Sequence, residues 1–347
     1  MREDTLVAQR FDLGKLAISG EATPVAENLG TDAVGLAHFS ASQTGVLTFR
    51  AGETRARQLV WVDRSGKEVG VLGEPAEYGD LWLSPDGKRM VVDIPESKSG
   101  NSDLWIRDLA RDVTSRFTFD PADDSTPVWS PDGRRIVFTS KRKGAGDLYV
   151  KDASGAGEEE LLLATEEEKY AHDWSRDGRF ILFWSRGKDT GWDIWALPTF
   201  GDKKPFPVLK TQFLEMRPSL SPDGRFMAYQ SNESGRSEIY VQEFPDTKGK
   251  WQISKGGGTE PFWSATGREI FYRAPDSRIM SVPVGTGAPF SAGAPAALFQ
   301  ARLQSVIIRS HYRPSPDGQR FLTLAPLGRE SILPTTVALN WATPLPK

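Results

Sequence analysis

The chain of 347 residues contains no cysteine and only three histidines. The absence of cysteine excludes disulfides, thiolate catalysis and cysteine-ligated zinc, although it does not fix the compartment. His38, His172 and His311 lie two, three and four residues before three different copies of a repeated turn, so strand alternation would point them in different directions. We therefore expect no metal site, and nothing in the sequence calls for a cofactor.

Long apolar runs and an excess of one charge are also missing. The formal net charge is −3 with acids and bases well mixed, which gives no footprint for nucleic acid or an anionic membrane. No apolar stretch approaches the 18 or so residues of a membrane-spanning helix. The start, Met1-Arg2-Glu3-Asp4, does not have the pattern of a signal peptide. We expect either a chain that stays inside the cell or part of a longer, exported protein.

Motifs of catalysis are lacking as well. There is no Gly-x-Ser-x-Gly elbow of a hydrolase, and Gly155-Ala156-Gly157 lacks the third glycine of a nucleotide loop. The acidic runs at 158–160 and 166–168 are typical of solvated loops. We therefore predict that the chain is not an enzyme.

A repeat is what the sequence does contain. A Ser-x-x-Gly turn, best seen in Ser130-Pro131-Asp132-Gly133, recurs 43–51 residues apart. Proline presets the first turn angle, aspartate bonds nearby backbone and glycine supplies the positive φ that closes a hairpin. The six clear copies and one degraded copy begin at Ser84, Ser130, Ser175, Ser221, Ser264, Ser315 and Ser40.

The residues around each turn repeat too. A large apolar residue precedes the serine in most copies, and a continuous apolar run such as Ile136-Val137-Phe138 follows the glycine. Continuous runs are typical of strands that are buried on both sheet faces. An acidic–aliphatic–aromatic triplet then begins a third strand, and its acidic residues (Asp103, Asp147, Asp193 and Glu238) are expected to make structural bonds between strands. A fourth strand completes the unit.

A unit of about 45 residues with four antiparallel strands predicts an all-β fold, the β-propeller. The count of turns predicts seven blades in one domain over residues 1–347, with six or eight as the alternatives. A propeller must join its first and last blades. We predict a shared closing blade that takes outer strands from about 5–27 and inner strands from about 311–341.

The segment Trp129-Ser130-Pro131-Asp132-Gly133 and its copies resemble the WD-like propeller repeats of TolB and related bacterial proteins. The segments 6–12, 117–124, 240–245 and 337–341 resemble the C-terminal extracytoplasmic propeller region of acidobacterial-type serine/threonine protein kinases. That resemblance implies a periplasmic sensor domain. The chain lacks the Gly-rich loop, the His-Arg-Asp loop and the Asp-Phe-Gly motif of a kinase domain.

The channel mouth of the ring is the expected place for a site, because the loop that enters each innermost strand ends there. About four residues before each turn serine the residue type varies from blade to blade, unlike the turn itself. The candidate ligand-binding residues at this mouth are Asp80, Asp124, Tyr170, His172, Arg217, Glu260, His311 and Arg313. Replacing Arg217 and Glu260 together by alanine is expected to leave the fold intact and weaken ligand binding.

We therefore interpret the chain as a non-catalytic module that binds a protein, peptide or envelope ligand, with no nucleic acid or membrane insertion. It would serve as the sensor part of a kinase signalling protein. Two alternatives remain at this point. One is an enzyme with a carboxylate active site at the channel mouth, a lyase or glycosidase. The other is the non-catalytic propeller of a prolyl-oligopeptidase-type peptidase.

Overall fold

A computed structural model describes residues 5–27, 29–30, 36–50, 56–96, 100–287, 289–303, 310–327 and 335–341. Every regular secondary-structure element within these ranges is a β-strand, which confirms the all-β prediction. Within the same ranges no helix has the length and apolarity needed to cross a membrane.

The chain divides into two compact units. The smaller consists of Met1–Arg55 with Leu327–Lys347 and contains a two-stranded hairpin and a separate three-stranded sheet. The hairpin is β1 (Leu6–Asp12) and β2 (Ala17–Ala26), and the sheet has the order β3 (Phe39–Ala41), β4 (Val46–Arg50), β30 (Thr335–Leu339).

The larger unit, Ala56–Pro326, holds six four-stranded antiparallel blades in its described residues, and the sixth carries one additional short strand. Blade 1 has the strand order β28-β29-β5-β6, whereas blades 2 to 6 follow the chain. The strands are β5 (Arg57–Asp63), β6 (Glu68–Ala76), β7 (Leu81–Leu83), β8 (Arg89–Pro95), β9 (Ser102–Asp108), β10 (Val113–Arg116), β11 (Asp124–Trp129), β12 (Arg135–Ser140), β13 (Asp147–Asp152), β14 (Glu160–Leu163), β15 (Lys169–Trp174), β16 (Phe180–Gly187), β17 (Gly191–Pro198), β18 (Phe206–Leu209), β19 (Glu215–Leu220), β20 (Phe226–Ser231), β21 (Glu238–Glu243), β22 (Lys250–Gln252), β23 (Thr259–Trp263), β24 (Glu269–Arg273), β25 (Arg278–Gly285), β26 (Ser291–Ala292), β27 (Ala296–Gln300), β28 (Tyr312–Pro314) and β29 (Arg320–Pro326).

The repeated turn joins the first two strands of each blade as its chemistry predicts. In blade 3 the Ser130 hydroxyl donates to Asp132 over 2.5 Å and accepts the backbone N–H of Arg135 over 2.9 Å. Gly133 adopts φ 67°, a conformation that costs other residues free energy. The same serine–aspartate bond recurs in the turns at Ser84, Ser175, Ser221 and Ser315.

The hydrophobic core lies between blades. One cluster joins Phe262 and Phe271 of blade 6 to Tyr312 and Phe321 of blade 1, and another joins Leu322 of blade 1 to blade 2. Each sheet is therefore covered on both faces, which explains the continuous apolar runs.

The outer strands that close the ring differ from those predicted. In the structure, β29 pairs along its length with β5, from Arg320 opposite Asp63 to Pro326 opposite Arg57. The predicted outer strands, residues 5–27, pair with each other as the β1–β2 hairpin of the smaller unit. Within the predicted 311–341, β28 and β29 are the inner strands of blade 1, whereas β30 pairs with β4 in the smaller unit; residues 328–334 lie outside the described residues.

The seventh turn copy accounts for the difference in blade number. Ser40 lies in the β3–β4 sheet, whose third strand is β30, so this copy contributes no blade to the larger unit. The strands β5 and β6 that follow it serve instead as outer strands for the copy at Ser315. Each of the six clear turn copies therefore belongs to one four-stranded sheet in the described residues of Ala56–Pro326, whereas the degraded copy at Ser40 does not.

Candidate functional site

The innermost strands of blades 3 to 6 share a bulge at the position that varies between blades. Their pairing with the second strand shifts register there, as between Ser125 and Val128. Thr126, Arg217 and Glu260 adopt φ of 48°, 56° and 56°, which is unusual for residues other than glycine. A proline follows each of them, and proline within a sheet is confined to edges and bulges because it cannot donate to the ladder. Strained backbone of this kind concentrates at functional sites.

A small cavity of about 10 Å³, room for roughly one water molecule, lies at these bulges. Polar and aromatic side chains from several blades converge on it. The lining residues are Asp80, Trp82, Thr126, Pro127, Ala171, His172, Trp184, Arg217, Ser310 and Arg313. Of the predicted site residues, the structure thus brings Asp80, His172, Arg217 and Arg313 together around one space.

Arg313 joins three blades at this cavity. Its guanidinium carbon lies 3.4 Å from the ring centre of Trp82 in blade 2 and 4.1 Å from that of Phe262 in blade 6. Its Nε donates to the Leu81 carbonyl over 2.9 Å. Burial lowers the pKa of Arg313 to about 9, while the carboxylates of Asp80 and other acids oppose the shift, so the side chain is charged at neutral pH.

Two ring nitrogens at the cavity have no partner among the described residues: His172 Nε2 and Trp184 Nε1. His172 Nδ1 donates to the Pro218 carbonyl over 3.0 Å, which leaves Nε2 as an acceptor in the neutral ring. Burial and the charges of Arg313 and Arg217 hold the pKa of His172 well below its usual value, so the ring is neutral. The cavity therefore offers one acceptor and one indole donor that a ligand could satisfy.

Glu260 lies in a buried ion network and does not line this cavity. Its carboxylate accepts the His311 backbone N–H and His311 Nδ1, each over 2.8 Å, and lies 3.4 Å from Arg273 and 3.9 Å from Arg217. Burial would raise the pKa of Glu260, but these neighbours outweigh it and hold the pKa well below its usual range. Glu260 and His311 are therefore structural in this geometry. The expectation that alanine at both Arg217 and Glu260 spares the fold conflicts with this burial.

Two further predicted residues lie away from the cavity lining. The Tyr170 hydroxyl donates to Glu168, and its ring packs against Trp184 with centroids 4.8 Å apart, so it supports a lining residue. Asp124 precedes the bulge, where β11 is still in regular register with Ser140, and its carboxylate lies 3.3 Å from Arg142. Burial raises the pKa of Asp124 to about 6.

Sequence reasoning missed the aromatic lining. Trp82 and Trp184 were not among the predicted site residues, and they follow Leu81 and Phe183 in apolar runs that indicate buried strands. The prolines after Thr126, Arg217 and Glu260 were the available signal, because a proline inside an inner strand marks a bulge.

Comparison with known proteins decides the family. A family model described as TolB beta propeller domain matches residues 64–267, well over half of the chain. The chain belongs to the TolB β-propeller family. The Tol-Pal system protein TolB of Francisella tularensis subsp. tularensis is 26% identical over 220 residues, which cover 63% of this chain and 47% of that protein. The match thus spans less than half the length of this TolB relative.

Solved structures agree on the fold. A protein assigned to TolB from Agrobacterium tumefaciens has a TM-score of 0.62 at 18% identity, covering 79% of this chain and 99% of that one. TolB from Acinetobacter baumannii has a TM-score of 0.51 at 18% identity, covering 72% and 68%. An oligogalacturonate lyase from Vibrio parahaemolyticus has a TM-score of 0.51 at 12% identity, covering 81% and 75%. This fold therefore also occurs in an enzyme.

Proposed function

We propose that this TolB-family propeller is a non-catalytic binding module that captures a carboxylate-bearing peptide segment of a protein at the bulged inner strands. The observation that supports this most strongly is the convergence of Arg313, Arg217 and the unpartnered Trp184 indole N–H on one cavity, while His172 Nε2 can accept a peptide N–H beside the carboxylate.

The chemistry of the lining supports a carboxylate ligand. Guanidinium groups bind carboxylates through paired hydrogen bonds, and the ring of Trp184 adds an N–H donor. The cavity has room for one small group, about 10 Å³, so we infer that it takes up only the carboxylate and that the rest of the peptide lies outside it. A Tol-Pal system protein among the relatives is consistent with a protein partner.

The sensor role and the extracytoplasmic location belong to the same proposal. They rest on the resemblance of segments such as 240–245 to propeller regions that follow a kinase domain and a membrane helix. The coding sequence immediately upstream tests them. An in-frame kinase domain and membrane helix would support the sensor role, and an adjacent hydrolase would favour the peptidase alternative.

The carboxylates near the cavity give less support to an enzyme than the cavity lining gives to a binding module. Glu260 is held as a carboxylate by its basic neighbours, so it is poorly suited to donate a proton. Burial raises the pKa of Asp173 to about 6, but its oxygens already accept the backbone N–H groups of Leu220 and Trp174.

Selection of binding peptides from a random displayed library on the intact chain tests the proposal. We expect the selected peptides to carry a carboxylate, and we expect Arg313→Gln to weaken their affinity about tenfold or more, as for a charge-assisted hydrogen bond. Trp184→Phe, which removes only the N–H donor and keeps a ring, should also weaken it.

The control is Arg134→Gln, an exposed arginine beside the turn at Ser130. It should leave affinity unchanged, and unfolding midpoints should show that each variant is folded. Selected peptides that bind folded Arg313→Gln and Trp184→Phe as tightly as the wild type would refute binding at this cavity.

A further inference from the structure

Blades 3, 4 and 5 carry the same four-residue set on one face of their second and third strands. In blade 4, Phe183 opposes Trp195 and Ser185 opposes Asp193. Directly opposed residues share a face of the sheet, so the aromatic pair and the polar pair lie side by side. The equivalent pairs are Phe138–Tyr149 and Ser140–Asp147 in blade 3, and Tyr229–Tyr240 and Ser231–Glu238 in blade 5. The neighbouring blades thus serve as internal references for blade 4.

In blade 3 the set is covered by the chain itself. Arg142, two residues after Ser140, places its guanidinium carbon 4.2 Å from the ring centre of Tyr149. The acidic member, Asp147, accepts a hydrogen bond from Lys169 Nζ over 2.9 Å. Neither the ring nor the carboxylate there lacks a partner.

Blade 5 shows the same completion by other residues. Glu238 accepts the backbone N–H groups of Gly256 and Gly257, each over 2.9 Å. Lys250 Nζ lies 5.7 Å from the ring centre of Tyr240 and 2.7 Å from Glu233, the residue two after Ser231. The expectation that these acids make structural bonds holds for Asp147 and Glu238.

Blade 4 has a glycine at the position of Arg142 and Glu233. Gly187 follows Ser185 by two residues, so this position has no side chain to place over the aromatic pair as Arg142 does, and Lys210 Nζ approaches the Trp195 ring centre at 5.8 Å as Lys250 approaches Tyr240. A Cβ there would lie 2.7 Å from the Asp193 carboxylate and would displace the ends of the Thr190 and Asp193 side chains, which glycine leaves in place. A groove of about 360 Å³ lies between blades 3 and 4, within the size range of ligand sites.

Asp193 is the acid of the series without a basic partner among the described residues; Asp103 also has one oxygen without a hydrogen-bond partner, but it pairs with Arg116. It is 1% exposed and lines the groove. Its Oδ2 accepts the Thr190 hydroxyl over 2.6 Å, while Oδ1 has no hydrogen-bond partner among the described residues. No basic group of the described chain lies within 4.0 Å of it, whereas Asp147 has Lys169. A buried carboxylate oxygen without a donor is costly, which indicates that a ligand supplies one.

We propose that this groove is a binding site for a neutral saccharide, distinct from the cavity at the inner strands. Phe183 and Trp195 stack with centroids 6.4 Å apart at 20°, and Trp195 is only half-buried, so its ring can meet the apolar C–H face of a sugar. Asp193 accepts a sugar hydroxyl, and the exposed Lys188 and Lys210 at the rim donate to others.

The charges of the rim favour a neutral ligand over a cationic peptide. Lys210 Nζ already lies 5.8 Å from the ring centre of Trp195, where a ligand cation would have to sit, and Lys188 adds a second positive charge. Glu167 and Asp189 line the same groove and oppose an anion. Hydroxyl groups, which both donate and accept, suit this mixture of charges.

Calorimetric titration of the intact chain with cellotriose, maltotriose and the trimer of N-acetylglucosamine tests the site, with a lysine tripeptide as the cationic probe. At least one trisaccharide should bind saturably at millimolar concentration. Asp193→Asn, which keeps the shape but loses the charged acceptor, should weaken that binding about tenfold or more. Trp195→Leu should abolish it.

Two controls separate this proposal from the proposed function. Asp103→Asn makes the same change at the equivalent position of blade 2, where Arg116 pairs with the acid, and should leave saccharide binding unchanged. Arg313→Gln should also leave it unchanged, because Arg313 lines the other cavity. Absence of binding for all three trisaccharides, equal binding by folded Asp193→Asn, or binding of the lysine tripeptide instead would overturn the saccharide site.

Discussion

Replacing Glu260 with alanine removes the carboxylate on which the buried ion network depends. Arg273 and His311 would lose an acceptor at 3.4 and 2.8 Å, and the His311 backbone N–H would lose its partner. Breaking a buried ion pair by deleting one partner costs about 3–5 kcal/mol, because the remaining charge stays buried without compensation. For a unit of this size each kcal/mol lowers the Tm by about 2–4 °C, so we expect a fall of roughly 10 °C.

The pH dependence adds a second test of the same network. Because the pKa of Glu260 is lowered on folding, its contribution is present above the unfolded value of about 4.3 and is lost as pH falls below it. The difference in unfolding free energy between wild type and Glu260→Ala should therefore narrow between pH 7 and pH 3 in urea titrations. Glu68→Ala, at an exposed position, is the control. A Glu260→Ala protein that melts within about 1 °C of the wild type at pH 7 would refute the reasoning.

Three further predictions follow from single features. Burial raises the pKa of Asp173 to about 6, so its ionisation opposes folding. In urea titrations the free energy of unfolding of Asp173→Asn, taken relative to wild type, should therefore rise by about 1–3 kcal/mol from pH 4 to pH 7. A relative free energy that stays constant over this range would contradict the prediction. Gly133→Ala should cost about 1–2 kcal/mol by the same measurement, since φ is 67°, while Gly287→Ala, where φ is not positive, should cost less. Deleting residues 1–30 should leave the calorimetric unfolding transition of the larger unit in place, because β5 closes the ring. Leu59 is fully buried in β5, so Leu59→Ala should lower the stability of that unit by about 2–5 kcal/mol. A deletion that abolishes the transition would contradict closure by β5.

The blade repeat was predictable because turn chemistry and strand burial act locally. Ser130, Asp132 and Gly133 each have a role that follows from their own side chain, so the sequence predicts their turn without knowledge of the rest of the fold. Three acidic residues of the third strand make the expected bonds, namely Asp103, Asp147 and Glu238. Asp193 is the exception, because Thr190 of its own hairpin is the hydrogen-bond donor it has among the described residues.

Closure of the ring could not be predicted by the same reasoning. Residues 5–27 and residues 57–76 both have strand-forming sequences, so either could supply the outer strands of the closing blade. The choice depends on the pairing of β5 with β29, which are more than 250 residues apart in the chain. The candidate site was predicted in part for a related reason. The variable column found Arg217, but the lining also takes Trp82, two residues nearer the turn, and Trp184 from a second strand, and neither belongs to the column.

The central claim is that the cavity at the bulged inner strands binds a peptide carboxylate. The most direct measurement is a crystal structure of the chain with a peptide selected from the displayed library. We predict a carboxylate of the peptide within hydrogen-bonding distance of Arg313 or Trp184 Nε1, in the space lined by Trp82 and His172. A peptide bound elsewhere, with this cavity unchanged, would contradict the account.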